Sequence, residues 1–518
     1  MDAITILWAD DEIDLLKPHI LFLEEKGYKV LPTPSGDDAL DILEENRVDI
    51  VLLDENMPGL SGLETLEIMK SKYPSLPVIM ITKSEEEFIM EEAIGSKISD
   101  YLIKPVNPKQ ILLSLKKNLD TSRLVSEKST SKYQQEFRQI GMTLGDRLDY
   151  EEWADVYKKL VYWELELDKS KETGMDEILH MQKNEANSQF CKFVENNYTY
   201  WLSHPEDAPV MSQSLFKSYV VPELKKKDNS VFFIVIDNLR YDQWKTLAPI
   251  VSQDYWIDKE DVFYSILPTT TQYSRNSIFA GMMPGEIAKR YPDKWSNDED
   301  EGGKNLHEEF FIEEQLKRNN LNVKFSYNKV LNVSYGNKVL NEIPGMFNNP
   351  LNVIVYNFVD MLSHARTDTQ IVKELASDEA AYRSVVKSWF EHSTLYEIIK
   401  EIAARGGKLI ITTDHGSIRV KEPSKIVGDK EVNSNLRYKQ GKTLSYVEKN
   451  VLAIKNPEDA HLPKVNVSQS FVFAKDDYFF AYPNNYNHYV KYYKDTFQHG
   501  GISLEEMLIP VVMLSPKK

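Results

Sequence analysis

A chain of 518 residues is too long for one hydrophobic core and predicts two to four domains. An apolar fraction of 42%, a charged fraction of 27% and a net charge of −18 describe a globular protein and argue against extended nucleic-acid binding. A small anionic substrate stays open, because bound divalent cations can reverse the local field. The single cysteine, Cys191, excludes an intrachain disulfide and fits a reducing compartment. The stretch from Met1 to Asp10 has no basic segment and runs into acids, so no signal peptide is expected. Apolar runs such as Val231–Ile236 are too short to cross a bilayer. A soluble, cytoplasmic protein without membrane association is the expectation.

Residues 1–120 alternate short apolar strands with amphipathic helices. Strands are predicted at Thr5–Ala9, Asp49–Leu53, Val78–Ile81 and Asp100–Ile103, and helices at Ile13–Lys26, Asp37–Glu45, Gly62–Lys72 and Glu85–Gly95. Such alternation builds a doubly wound parallel sheet whose ligands sit beyond the carboxyl ends of its strands. Asp10, Asp11, Asp54, Thr82 and Lys104-Pro105 fall at those ends. Three carboxylates gathered there would repel one another unless a hard cation such as Mg²⁺ joined them. One carboxylate could then attack a phosphoryl donor, with Lys104 and Thr82 binding the phosphoryl oxygens.

Asp10-Asp11, Leu53-Asp54-Glu-Asn56-Met-Pro58-Gly59, Thr82 and Tyr101-Leu-Ile-Lys104-Pro105 together resemble the receiver domain of two-component response regulators in order and spacing. The resemblance implies a flavodoxin-like receiver, phosphorylated on Asp54 by a sensor histidine kinase. It implies Mg²⁺ held by Asp10, Asp11, Asp54 and Asn56, and a switch pair of Thr82 and Tyr101.

Residues 121–205 carry helical periodicity. Tyr133, Phe137, Ile140 and Leu144 share one face; Trp153, Val156, Leu160, Trp163 and Leu167 share a second, after a cap at Asp149 with Glu152. Phe190, Val194, Tyr198 and Trp201 share a third, after a turn at Lys171–Gly174. A three-helix bundle is expected, its aromatics forming core rather than a ligand site. It would serve as a spacer, a dimerisation element or a partner surface. No helix-turn-helix pattern with basic groove-facing residues is present, so sequence-specific DNA binding is not expected.

In residues 206–518, three apolar runs end in potential metal ligands. Val231–Ile236 leads to Asp237, Val353–Val359 to Asp360, and Leu409–Thr413 to Asp414-His415. An open α/β sheet would gather these strand ends at one rim. His364, four residues past Asp360, would share its side of a helical turn, and His499 lies near the C-terminus. Carboxylate and imidazole ligands suit Zn²⁺ or Mn²⁺. The run Leu267-Pro-Thr-Thr-Thr271 offers a hydroxyl that a bound cation could activate as a nucleophile.

Pro268-Thr-Thr-Thr271 followed by Phe279-Ala-Gly281, with those ligands, resembles the alkaline phosphatase superfamily and within it the PglZ-type domain. That resemblance implies Thr271 as nucleophile. It implies one Zn²⁺ on Asp237, Asp414, His415 and Thr271, and a second on Asp360, His364 and His499. Arg275, four residues past Thr271, could meet a substrate phosphate or lie on the helix surface. Diesterase relatives carry an asparagine three residues past the nucleophile, where this chain has Ser274. Two insertions stand out: acidic Trp295–Gly303, expected to be solvated, and basic Lys421–Lys442, a solvated loop or a lid over an anionic substrate.

A receiver, a helical bundle and an alkaline-phosphatase-like α/β domain in one chain resemble the PorX-type regulators of type IX secretion. The resemblance implies a phosphodiesterase acting on nucleotides, cyclic nucleotides or oligonucleotides. It also implies a phosphorylation-dependent homodimer with a secretion motor protein or sigma factor as partner. The alternatives are a phosphomonoesterase and an adaptor that works by protein contact alone.

Overall fold

The computed structural model describes the chain except residues 1–3, 74–75, 83–97, 169–172, 227–229, 299, 301, 369–373, 377, 429–432, 434 and 518. Within helices and strands, the side chains of residues 82, 119–132, 134–135, 173–174, 176 and 364–368 are also outside the described set. The helix expected over Glu85–Gly95 and most of the turn expected over Lys171–Gly174 therefore lie outside the described residues. The chain divides into two compact units, Met1–Gln134 with residues 169–172, and Gln135–Asp168 with Thr173–Lys518. Among the described residues no helix is long and apolar enough to cross a membrane.

The first unit is a five-stranded parallel sheet in the order β2-β1-β3-β4-β5. Its strands are β1 (Thr5–Ala9), β2 (Lys29–Thr33), β3 (Ile50–Asp54), β4 (Val78–Thr82) and β5 (Asp100–Ile103). Described helices are α1 (Lys17–Glu25), α2 (Gly36–Glu45), α3 (Gly62–Lys72) and α4 (Pro108–Leu144). Within α4 lie both position 120 and the division between the units. Alternate residues feed two cores. Ile6, Trp8, Ile50, Leu52, Ile79 and Ile81 enter one, while Leu7, Ala9, Val51, Leu53, Val78 and Met80 enter the other. Burial on both faces is why these strands read as unbroken apolar runs. Strand β2 fits its edge position, because Pro32 offers the ladder no N–H. A capping box between Ser61 and Glu64 starts α3. Gly62 is required there, since a Cβ would come within 2.1 Å of the Asp54 carbonyl oxygen. That close approach ties α3 to the end of β3.

The second unit is built on a six-stranded sheet of β6 (Val231–Ile236), β7 (Tyr255–Tyr264), β8 (Phe325–Val330), β9 (Leu351–Tyr356), β10 (Lys408–Thr412) and β11 (Leu508–Pro516). The order is β7-β11-β10-β6-β9-β8. Strands β10, β6, β9 and β8 run parallel, so their carboxyl ends share one rim, and β11 lies antiparallel between β10 and β7. Every residue of β6 is buried, as a central strand covered on both faces requires.

The helices α5 (Tyr150–Asp168) and α6 (Thr173–Ser203) belong to this second unit. Asp149 caps α5 by accepting from the backbone N–H of Glu151 and Glu152, and Glu152 accepts in return from the Asp149 N–H. The expected faces are buried: Trp153, Val156, Leu160, Trp163 and Leu167 on α5, and Phe190, Val194, Tyr198 and Trp201 on α6. Tyr133, Ile140 and Leu144 of α4 are buried as well, and Phe137 is half-buried. What α6 covers is the large domain itself. Tyr198 Oη accepts from the Leu267 N–H at 2.8 Å, and Asn187 Oδ1 accepts from the Leu504 N–H at 2.7 Å. Cys191 Sγ lies 3.3 Å from the Ile502 carbonyl. Arg383 of the large domain meets Glu164 of α5 at 2.9 Å. The helices pack as part of one body with the sheet.

One strand assignment is corrected. The apolar run Val353–Val359 does not reach Asp360 as a strand. Strand β9 ends at Tyr356, and Phe358–Asp368 forms a helix, α7, which carries Asp360 in its first turn. Val359 is buried from that helix rather than from the sheet.

Candidate functional site

In the first unit, Asp10 follows β1, Asp54 ends β3, and both are buried. Lys104 Nζ stands 3.1 Å from Asp10 Oδ2 and 3.0 Å from Asp54 Oδ1. Asp10 Oδ1 accepts from the Glu12 N–H at 2.9 Å, which aims the other oxygen inward. Apart from the ion pair, both Asp54 oxygens are buried without a hydrogen-bond partner among the described residues. Burial pushes the Asp54 carboxyl above its ordinary value; Lys104 opposes this, and Asp10 adds to it. Burial works against the Lys104 charge, yet Asp54 and Asp10 hold its ammonium above the usual lysine range. Asp10, Asp11 and Glu12 offer carboxylate oxygens within 4.8 Å of one another. Oxygen-only donors with orphaned carboxylate atoms fit a hard divalent cation such as Mg²⁺. Glu12 was not foreseen, because it lies one residue beyond the acid pair. Asn56 is exposed two residues past Asp54, and Tyr101 is 42% exposed on β5. Thr82 pairs with Ile103 in the sheet, and its side chain lies outside the described residues.

In the second unit, Asp237 follows β6, while Asp414 and His415 follow β10; all three are fully buried. Their ligand atoms lie within 4.8 Å of one another. Thr271 opens the helix α8 (Thr271–Ala280), which ends at Gly281 with φ +57°. The Thr271 hydroxyl donates to Asp237 Oδ1 at 3.2 Å and lies 3.1 Å from His415 Nε2. His415 Nδ1 is 3.1 Å from the Gly416 carbonyl, which can only accept, so that nitrogen carries the proton and Nε2 faces the cluster as a lone pair. Neither neighbouring threonine makes a hydrogen bond to the cluster among the described residues. Thr269 Oγ1 donates to the Gly501 carbonyl at 2.9 Å and accepts from the Gly500 N–H at 3.0 Å, while Thr270 occupies the N-cap position by its backbone and its hydroxyl makes no capping bond.

His499 and Asp360 extend the group. The His415 and His499 rings stack with centroids 4.2 Å apart, and His499 Nε2 is 3.6 Å from Asp360 Oδ1. His499 Nδ1 lies 3.2 Å from the Thr269 carbonyl, which turns its Nε2 toward Asp360. His364 lies within α7, and its side chain is outside the described residues. Asn238 was not foreseen: it bridges the two halves, donating through Nδ2 to Asp360 Oδ1 and through its backbone N–H to Asp414 Oδ1, each at 3.3 Å.

Burial pushes the Asp237 carboxyl up to about 8, against the opposing charge of Arg275 and with a further push from Asp414 and Asp360. Burial raises Asp414 as well and lowers the His415 imidazole. Asp414 Oδ2 is buried without a hydrogen-bond partner among the described residues. Stacked imidazole lone pairs and buried carboxylates, one oxygen orphaned, fit divalent cations that accept mixed nitrogen and oxygen donors.

Arg275 lies neither on the helix surface nor open to a substrate. It is 1% exposed, with Nη1 2.9 Å from Asp237 Oδ2 and 3.7 Å from Asp414 Oδ2, and Nε 2.7 Å from Glu308 Oε1. Ser274 is turned into the core, its hydroxyl 2.9 Å from that of Ser265. The basic insertion is not a simple loop, since it contains strands at Glu422–Val427 and Tyr438–Gly441. Within it, Arg437 is buried on Glu506 at 2.6 Å. Lys439 is buried with Nζ on the Asn433 carbonyl, and burial lowers its ammonium to about 7. Lys430 lies outside the described residues. The acidic insertion is anchored at one point, where Asp298 accepts from Tyr273, Asn433 and Tyr438, while Asp300, Gly302 and Gly303 are exposed to solvent as expected.

Family comparison covers most of the chain. Residues 6–116 match the response regulator receiver domain, 123–202 the PorX response regulator linker domain, and 215–514 the BREX system PglZ alkaline phosphatase-like domain. A curated relative is the alkaline phosphatase synthesis transcriptional regulatory protein PhoP of Bacillus subtilis, 30% identical over 129 residues, or 24% of this chain. The chain spans about half of that relative, 53% of its length. Among solved structures, a receiver domain protein from Clostridium thermocellum is 30% identical, covering 23% of this chain and 98% of its own, with a TM-score of 0.22. The chemotaxis regulator CheY4 of Vibrio cholerae is 28% identical, covering 23% and 99%, also with a TM-score of 0.22. With the PglZ-type match spanning more than half of its length and the receiver and linker matches preceding it, the chain belongs to the PorX-type response regulators.

Proposed function

We propose that this response regulator is phosphorylated on Asp54 by a sensor histidine kinase and carries a zinc-dependent phosphodiesterase as its output. The observation that carries the hydrolase reading is the Thr271 hydroxyl, placed at the start of α8 and 3.2 and 3.1 Å from Asp237 and His415. Zn²⁺ on Asp237, Asp414 and His415, and on Asp360, His364 and His499, would supply Lewis acidity and neutralise charge developing on the phosphoryl oxygens. With Asp237 held as a carboxylate ligand, the Thr271 hydroxyl gives up its proton to solvent as Thr271 Oγ1 bonds to phosphorus and the bond to the leaving alcohol breaks. That alcohol takes up a proton, and water then cleaves the threonine ester. The N-terminus of α8 turns its positive dipole end toward the transferred group.

Charge supports a diester over a monoester. Among the described residues, the guanidinium set against the cluster, Arg275, is already engaged by three carboxylates. Little remains to offset a monoester's second charge. Kinship with the PorX-type regulators supports nucleotides, cyclic nucleotides or oligonucleotides as substrates. It also supports a cytoplasmic role in type IX secretion through a motor protein or sigma factor, with phosphorylation promoting a homodimer. Metal analysis combined with paired assays of a bis-aryl and a mono-aryl phosphate tests this. Two zinc ions per chain and diesterase activity abolished in Thr271→Val are expected. Metal-free protein without hydrolysis, or a monoester preference, would overturn the reading.

A further inference from the structure

Asn238 follows Asp237 with φ +63°, in the left-handed region that residues bearing a Cβ rarely adopt. It is fully buried. Glycine would take this backbone without strain, so the asparagine side chain must offset its own conformational cost. Its contacts show how. The backbone N–H holds Asp414 Oδ1 and the amide Nδ2 holds Asp360 Oδ1, each at 3.3 Å. That same Asp360 oxygen faces His499 Nε2 at 3.6 Å. Oδ1 of Asn238 is left buried with no hydrogen-bond partner among the described residues, an arrangement that costs stability unless something else uses the oxygen. A neutral amide oxygen among carboxylates adds a hard donor without adding repulsion.

We propose that Asn238 is a positioning residue that couples the two cation positions. Its two N–H groups fix the spacing of Asp414 and Asp360 before either cation arrives, and Oδ1 serves the cation held by Asp360 and His499. This rests on the cation-ligand roles given under the proposed function.

The test titrates Zn²⁺ into the chelator-stripped full chain, against a competing chromophoric chelator, for wild type, Asn238→Gly and Asn238→Ala. Both variants should bind the second equivalent about 10- to 100-fold more weakly, the range typical for lost partners of metal ligands. The cation-free glycine variant should melt at or above the wild-type temperature, while the alanine variant, strained and without its amide, should melt lower. Wild-type affinity for both equivalents in Asn238→Gly would overturn the inference alone. A melting temperature lowered as far in the glycine variant as in the alanine variant would also overturn it, by making Asn238 a fold-supporting residue. Wild type that binds no zinc would overturn the cation-ligand reading and this inference together.

Discussion

Binding of a divalent cation at the Asp237 cluster should release protons, and the amount follows from burial. The Asp237 carboxyl is pushed up to about 8 from a reference of 3.8, first by desolvation and then by Asp414 and Asp360, against the pull of Arg275. Between these values the folded, cation-free protein keeps a proton that the unfolded chain has released. The folded state thus binds more protons, and stability falls as pH rises through that window. The full interval corresponds to on the order of 5 kcal/mol. A cation ligated by the carboxylate must displace the proton, so apparent affinity should rise up to tenfold per pH unit and level off above about pH 8. His415 adds nothing, because burial lowers its imidazole and leaves it neutral near pH 7. Burial raises the Asp414 carboxyl as well, against the pull of Arg275. Calorimetric titration of stripped protein at pH 6, 7 and 8, in buffers of differing ionisation enthalpy, should give about one proton released per chain at pH 7. Affinity independent of pH with no proton release would refute this, and would mean that Arg275 alone keeps Asp237 ionised.

Three further outcomes follow from particular contacts. Asp54→Asn should abolish the phosphoryl adduct that acetyl phosphate forms on wild type, as read by intact mass, because Asp54 ends β3 with its carboxyl 3.0 Å from Lys104 and is the proposed acceptor. Tyr198→Phe strands the Leu267 N–H without its acceptor at 2.8 Å, and should cost about 1–3 kcal/mol in a urea transition of unchanged slope. Arg437→Met leaves Glu506 buried without its partner and should destabilise by about 3–5 kcal/mol in the same assay, with part of the loss recovered in the double variant with Glu506→Gln.

Periodicity and strand-end chemistry made much of this architecture readable. The alternation of β1, β3 and β4 feeds two cores, and each strand end carries the residue type its site needs. The limits were physical. A short apolar run cannot report whether it continues as strand or turns into helix, so Val353–Val359 concealed the start of α7 at Phe358. Arg275 sits at a spacing that would suit a helix surface, and its burial depends on Asp237 and Glu308, 38 and 33 residues away. Asn238 had one local sign: asparagine tolerates the left-handed backbone better than most residues. The apolar faces of α5 and α6 were legible as core, but nothing local named what they cover. Leu504, for instance, lies 317 residues beyond Asn187.

The fastening of α6 to Leu267, Ile502 and Leu504 bears on how such chains are cut and recombined. A fragment beginning near residue 206 would bare the apolar floor that Phe190, Val194, Tyr198 and Trp201 cover, along with backbone groups flanking Thr271 and His499. Such a fragment should be recovered as aggregate, whereas one that retains α5 and α6 should stay in solution. In chimeras, the helices have to travel with the PglZ-type domain as one inherited cassette, and a foreign sensor module is best spliced upstream of α5.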